Sequence, residues 1–207
     1  MGLLKKKPLL KNGITVFIGP GHNGGDGAVI ARELFLKGFY VQVWCPFPIK
    51  KTITNDHLNY LTSIGVTKLV EPPDVNRKDL WIDAVFGNNQ TRKVDDKLIK
   101  LFNQKFHKKS GKVISIDIPT GLCPDKGEPF LEDAVKADYT LAIGLYKIGL
   151  TQDSALPFIG ELHHIDIGIP TSKMSKVEKK IFKVTYKDIK NIDLPSLPKN
   201  SNKYQRG

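Results

Sequence analysis

Short apolar runs alternate along this chain with longer segments in which apolar residues recur every three or four positions. Ile14–Ile18, Tyr40–Cys45, Val66–Val70, Leu80–Phe86, Lys112–Ile116 and Tyr139–Ile143 read as strands. The first is apolar at nearly every position, the pattern of a strand buried on both faces. Between the strands, Ala28–Lys37 sets Val29, Ile30, Leu34 and Phe35 at helical spacing, with Arg32, Glu33 and Lys37 outside and Gly38 as a stop. Asn55–Ile64 reads as a second helix, capped by Thr54 or Asn55 and ended by Gly65. Asp95–Phe106 reads as a third, with Leu98, Ile99, Leu101, Phe102 and Phe106 as its apolar positions. Leu162–Ile167 reads as an edge strand, because His163 and His164 interrupt its apolar run. Strands that alternate with helices of about ten residues predict βαβ units with right-handed crossovers. The expected fold is α/β: a three-layer α/β/α sandwich, Rossmann-like, with a mostly parallel sheet.

Composition narrows the class. The 207 residues are 40% hydrophobic and 26% charged, which suits a globular domain with a sizeable core. No apolar run approaches the roughly 20 residues of a membrane helix. Residues 1–7 carry three lysines, but the apolar stretch after them is broken by Pro8 and Gly13, unlike a signal peptide. A cytoplasmic protein is expected. The net charge of +11 raises the question of nucleic acid. The lysines are scattered, however, and only Phe182 and Tyr186 interleave the basic stretch Lys173–Lys190. A solvated basic surface that speeds encounter with small anions is expected, with no nucleic-acid or membrane partner. Cys45 and Cys123 lack metal-ligand spacing and read as structural or incidental. Residues 1–190 are expected to form one domain, and 191–207 a polar linker or tail.

Three segments carry candidate chemistry. The first is Gly19-Pro-Gly-His-Asn-Gly-Gly-Asp-Gly27, between the first strand and the first helix. Its five glycines permit φ > 0 and close approach of the backbone to a ligand, and the helix it opens offers unpaired N–H groups to an anion. It lacks the G-x-G-x-x-G spacing of the dinucleotide fingerprint. The second is Ile82-Asp-Ala-Val-Phe-Gly87, followed by Asn88-Asn-Gln-Thr-Arg-Lys93. Asp83 lies within an apolar strand, where a carboxylate is costly unless it is paired or binds a cation. The third is Ser115-Ile-Asp-Ile-Pro-Thr-Gly121, in which Asp117 ends a strand and Pro119, Thr120 and Gly121 shape the turn. All three lie at the carboxyl ends of strands, where parallel sheets bind ligands. Asn23, Asp83 and Thr120 offer oxygens suited to one hard cation.

These three motifs, in this order and spacing, resemble those of the YjeF N-terminal family, the NAD(P)H-hydrate epimerases. The resemblance spans roughly residues 12–170. Asp125-Lys-Gly127, Ala137-Asp138, Lys147-x-Gly149 and the Gly160–Pro170 segment extend it. The chain departs from the family pattern in three places. His22 stands where Asn is usual, Thr120 replaces Ser, and Asn88-Asn89-Gln90 replaces a glycine-rich loop.

The resemblance implies interconversion of the R and S epimers at C6 of hydrated NADH and NADPH (NADHX and NADPHX), feeding a companion dehydratase. It implies that His22, Asn23, Gly24, Gly25 and Asp26 contact substrate, together with Gly87, Asn88, Asn89, Gln90, Thr91, Arg92, Lys93 and Asp117. It implies a potassium ion as cofactor, held by Asn23, Asp83 and Thr120, and a homodimer. Asp83 or Asp117 is expected as general base or electrostatic stabiliser, with a lysine as partner; Lys50, after the second strand, is the catalytic candidate. Lys147 is left as either a ligand contact or an exposed residue. In one route the C6 hydroxyl leaves a cationic ring and water returns to the other face. The family's helical segment before the first strand is shortened here to about a dozen residues. Lys203-Tyr-Gln-Arg-Gly207 resembles the start of a fused dehydratase half. The alternative is a non-catalytic nucleotide-binding or scaffolding module of the same fold.

Overall fold

The computed structural model of the protein describes residues 10–90, 94–170, 184 and 186–190. Within it, seven strands form one sheet in the order β3-β2-β1-β4-β5-β6-β7. They are β1 (Ile14–Ile18), β2 (Val41–Trp44), β3 (Thr67–Leu69), β4 (Leu80–Ala84), β5 (Val113–Ile116), β6 (Tyr139–Ile143) and β7 (Glu161–Ile165). Every neighbouring pair is parallel. The helices are α1 (His22–Leu36), α2 (Thr52–Ser63), α3 (Asp96–Lys108), α4 (Leu156–Ile159) and α5 (Tyr186–Lys190), with 3₁₀ turns at Ile148–Thr151 and Asp153–Ala155.

Alternation along the strands builds the layers. Val16 and Ile18 of β1 join Ala28, Ala31 and Leu34 of α1 and Leu58 and Leu61 of α2 in one core cluster. Phe17, between them, points to the other face and packs with Trp81, Phe102, Leu98 and Ile99 of β4 and α3. Two-residue periodicity thus puts α1 and α2 on one side of the sheet and α3 on the other. A third cluster gathers Ile118, Leu122, Ala142, Leu150 and Phe158 beyond β5 and β6. The expected three-layer arrangement is present, and β7 lies at a sheet edge as its histidines foretold. Among the described residues no helix is long and apolar enough to cross a membrane.

Two helix starts differ from expectation. Helix α1 begins at His22, not Ala28, and runs through the glycine segment. Helix α2 begins at Thr52. Thr54 does not cap it; its hydroxyl donates to the Gly21 carbonyl at 3.0 Å and ties α2 to the β1–α1 turn.

The chain divides into two units, residues 1–169 and 170–207. The sheet and everything below belong to the first. Of the second, the described helix α5 has no buried residue.

Candidate active site

The strand order reverses direction at β1, whose neighbours are β2 and β4. Open parallel sheets bind ligands at such a switch point, outside the carboxyl ends of the strands. The turn after β1 is held against β4 by close backbone contact. A Cβ on Gly19 would lie 1.7 Å from the Val85 carbonyl oxygen, and one on Gly24 2.0 Å from that of Gly19. A Cβ on Gly27 would lie 2.5 Å from Ala84 Cβ. None of the five loop glycines has positive φ. The expectation that they supply left-handed backbone is corrected: they permit close packing, and that contact overrides the poor helix propensity of glycine. Gly25 N–H returns to the Gly21 carbonyl at 3.3 Å and closes the first turn. The N-cap, Gly21, gives no side-chain bond, so the N–H groups at the start of α1 remain available to an anion.

Asp83 lies on β4 in register with Phe17 of β1 and Ser115 of β5. It is fully buried. Thr120 donates to it twice, from Oγ1 to Oδ1 at 2.7 Å and from N–H to Oδ2 at 2.9 Å. Ser115 Oγ donates to Oδ2 at 3.0 Å and Val85 N–H to Oδ1 at 3.3 Å. All four donors are neutral, and among the described residues no cationic side chain forms an ion pair with Asp83. Burial therefore raises its carboxyl above the usual range, and the hydrogen bonds to Thr120, Val85 and Ser115 only partly oppose this. Asp83 lines neither the cleft beside Asp117 nor the one beside Lys50. Its hydrogen bonds fasten the turn after β5 to β4. Thr120 extends that clamp by accepting from Phe86 N–H at 3.2 Å.

Asp117, at the end of β5, has φ of 70°, a conformation costly for a residue with a Cβ. Its own N–H is bound to the Leu141 carbonyl at 2.8 Å. Its Oδ2 accepts from Asn88 N–H at 2.8 Å, and its Oδ1 is ion-paired with Lys147. Lys147 Nζ also donates to the Ile143 carbonyl at 3.0 Å. Gly87 fits because a Cβ there would meet Asp117 Oδ2 at 3.0 Å and Asn23 Cγ at 3.2 Å. Asn23 donates to the Ile116 carbonyl at 3.4 Å, and its Oδ1 accepts no hydrogen bond among the described residues.

A cleft of about 510 Å³ opens on this group, lined by Asp26, Asn88, Asp117, Asp125, Tyr146 and Lys147 among others. Partial burial and the neighbouring charge of Asp117 raise the Asp26 carboxyl, and His22 and His57 oppose the rise. A second cleft, of about 440 Å³, lies along the other residues of the 86–90 loop, between Gly21, Phe47, Lys50, Lys51, Phe86 and Gln90. Three loops therefore meet as expected, but three expected residues, Lys50, Asn89 and Gln90, face elsewhere. Lys50 lines the second cleft, and Lys147 takes the place proposed for it beside Asp117. Gln90 is buried, and its amide is committed to backbone: it donates to Pro119 and Leu122 carbonyls and accepts from Gly121 N–H. It latches the β4 loop to the β5 loop. Asn89 lines the second cleft with Lys50. Thr91, Arg92 and Lys93 lie outside the described residues.

Lys147 is the residue that sequence reasoning left open. Its signal was the Lys-x-Gly spacing after β6. A Cβ on Gly149 would lie 2.5 Å from the Cys123 carbonyl and 2.6 Å from that of Pro124. Only a glycine lets this loop sit against the 123–127 turn, and that contact sets the reach of Lys147. The Asp117 partner, 30 residues earlier in the chain, left no local trace.

The family model for the YjeF-related protein N-terminus matches residues 2–149. The chain belongs to the YjeF N-terminal family. It is 38% identical over 197 residues to the bifunctional NAD(P)H-hydrate repair enzyme Nnr of Synechocystis sp., covering 94% of this chain and 37% of that protein. It is 31% identical to the NAD(P)H-hydrate epimerase of Lentilactobacillus buchneri, covering 81% of this chain and 78% of that enzyme. The chain thus spans well under half of the bifunctional relative and most of the shorter YjeF-family one. A crystal structure of yeast ynu0 shares the fold, with a TM-score of 0.62 at 22% identity over 79% of this chain and 72% of that one.

Proposed function

We propose that this chain interconverts the R and S epimers of hydrated NADH and NADPH at ring carbon C6. The observation that carries the reading is the gathering of Asp26, Asp117 and Lys147 in one cleft beside the open start of α1. The similarity to an enzyme named NAD(P)H-hydrate epimerase, most of whose length the chain covers, supports it. In this reading the diphosphate lies over the free N–H groups of His22, Asn23 and Gly24, where the helix dipole favours negative charge. Lys50 and Lys51 add positive charge beside that turn. The modified ring enters the cleft of Asp117 and Lys147. Asp117 then faces the positive charge that develops when C6 loses its hydroxyl, an arrangement that stabilises a transition state more than a ground state. Lys147 holds the Asp117 carboxylate in place. A scaffolding module would have no use for an ion pair kept in a strained backbone position at a cleft, which favours catalysis over the non-catalytic alternative.

Potassium fits the same corner. Asn23 and Thr120 present oxygen donors, and Asp83 presents a buried negative charge without a cationic partner among the described residues. A hard alkali cation suits that donor set. A bound potassium ion would supply compensating positive charge beside Asp83 and the substrate diphosphate. The bifunctional names of relatives twice this chain's length and more support a companion activity on the same substrate pool, in line with the dehydratase implied by the sequence.

Incubating the full chain with purified R epimer, with and without potassium, and following the S epimer by chromatography tests the reading. Conversion faster than in buffer supports it. Conversion at the buffer rate under both conditions refutes it.

A further inference from the structure

Inversion at one carbon by departure and return of a hydroxyl needs a group to protonate the leaving oxygen and a group to take the proton of incoming water. The cleft is lined by three carboxylates borne on separate elements, Asp26 on the second turn of α1, Asp117 after β5 and Asp125 in the 123–127 turn. Asp117 is already engaged, with one oxygen on Lys147 and the other on Asn88 N–H. The side chains of Asp26 and Asp125 form no hydrogen bond or ion pair with another described residue, but Asp26 is the one on α1, the helix that Gly87 brings against Asp117, and it feels the charge of Asp117. Asp117, paired with a cation, and Asp26, without one, are placed for different tasks.

We propose that Asp26 is the acid of the reaction and Asp117 its base, with Lys147 as the positioning residue that fixes Asp117. The assignment rests on the epimerase reading given above. The Asp26 carboxyl gives its proton to the C6 hydroxyl oxygen. The C6–O bond breaks with its electron pair on oxygen, which leaves as water, and the ring nitrogen's lone pair stabilises the cation at C6. Water adds to the other face of C6 and passes its extra proton to Asp117. The proton returns to Asp26 through solvent in the open cleft. Nothing is oxidised or reduced.

The charges that act on Asp26 come from His22 on its own helix, His57 on α2 and Asp117 after β5, and Lys147 and Asp125 line the same cleft. Burial and the Asp117 charge favour the protonated carboxyl, as an acid requires, while both histidines act the other way.

Steady-state epimerisation by wild type, Asp26→Asn and Asp26→Glu is measured across pH, with NADPH, which lacks the hydroxyl, as a binding probe. Loss of a general acid predicts a fall in kcat of at least about 100-fold for Asp26→Asn. NADPH binding stays close to wild type. Wild-type kcat falls as rising pH deprotonates Asp26, and this limb disappears in Asp26→Asn. Asp26→Glu recovers part of the rate and moves the limb upward, and it carries the test alone if the Asn variant does not fold. In ¹⁸O-water each epimerisation places one labelled oxygen on C6. An active Asp26→Asn enzyme with an unchanged limb, an unmoved limb in Asp26→Glu, or retention of the original oxygen overturns the assignment and leaves the epimerase reading standing. An inactive wild type removes both.

Discussion

Replacing Thr120 by valine removes one hydroxyl and leaves the shape of the side chain. That hydroxyl donates to Asp83 Oδ1 at 2.7 Å and accepts from Phe86 N–H at 3.2 Å. Asp83 is fully buried and keeps only the donors from Thr120 N–H, Ser115 and Val85. A hydrogen bond to a charged group contributes about 1.5–3 kcal/mol, and an orphaned buried N–H costs about 1–3 kcal/mol. Phe86 is only half-buried, so its N–H counts at the lower end. The sum is about 3 kcal/mol. For a chain of this size that corresponds to a fall in Tm of roughly 6–12 °C. Thr120→Ser keeps the hydroxyl and loses one methyl, at a cost of about 1 kcal/mol. Denaturant unfolding, followed by the fluorescence of Trp44 and Trp81, measures both variants. A valine variant within about 0.5 kcal/mol of wild type, or a serine variant as unstable as the valine one, would refute the clamp.

Two further predictions concern buried charge. Burial raises the Asp83 carboxyl above 3.8, so the native protein holds this proton more readily than the unfolded chain. The group's stabilising contribution is complete below the unfolded value and is lost as pH rises through the folded one, which leaves a penalty at neutral pH. Exchanging choline for potassium at constant ionic strength therefore raises Tm at pH 7 and raises it less as pH falls through the range where Asp83 takes up its proton; an equal shift at both ends would count against a cation beside Asp83. At the opposite end of the sheet, Lys105 Nζ is buried 3.1 Å from Asp79 Oδ1 and also bonds the carbonyls of Arg77 and Ser110. Lys105→Met leaves Asp79 charged and buried with only partial compensation, and lowers stability by about 3–5 kcal/mol in denaturant unfolding; a loss below about 1 kcal/mol would show that the pair is dispensable.

Much of this was legible along the chain because local patterns encode local structure. The apolar runs located the seven strands to within two or three residues, and Asp95, where periodicity placed the start of the third helix, caps α3 by accepting from Lys97 N–H. The glycine segment was found for the right reason in part. Its close approach to β4 is real, but the helix within it was hidden, because tertiary contact with Val85 and Ala84 decides its conformation and propensity does not. Asp83 was recognisable as anomalous, since a carboxylate in an apolar strand must be answered by something. What answers it, the Thr120 hydroxyl and N–H, sits 37 residues away, and spacing alone cannot tell a clamp from a base. Lys50 and Lys147 illustrate the same limit. Both follow strands at the ligand-binding end, and only the fold shows that one turns to the second cleft and the other to Asp117.

The account depends on the loops after β1, β4 and β5 enclosing one substrate ring and one cation. A crystal structure of the full chain with NADPHX and rubidium, an X-ray-visible substitute for potassium, tests this most directly. Anomalous density against Asn23 and Thr120, with the modified ring between Asp26, Asp117 and Lys147, is the predicted result. A ring seated in the cleft of Phe47 and Lys50, or rubidium bound away from Asp83, would contradict it.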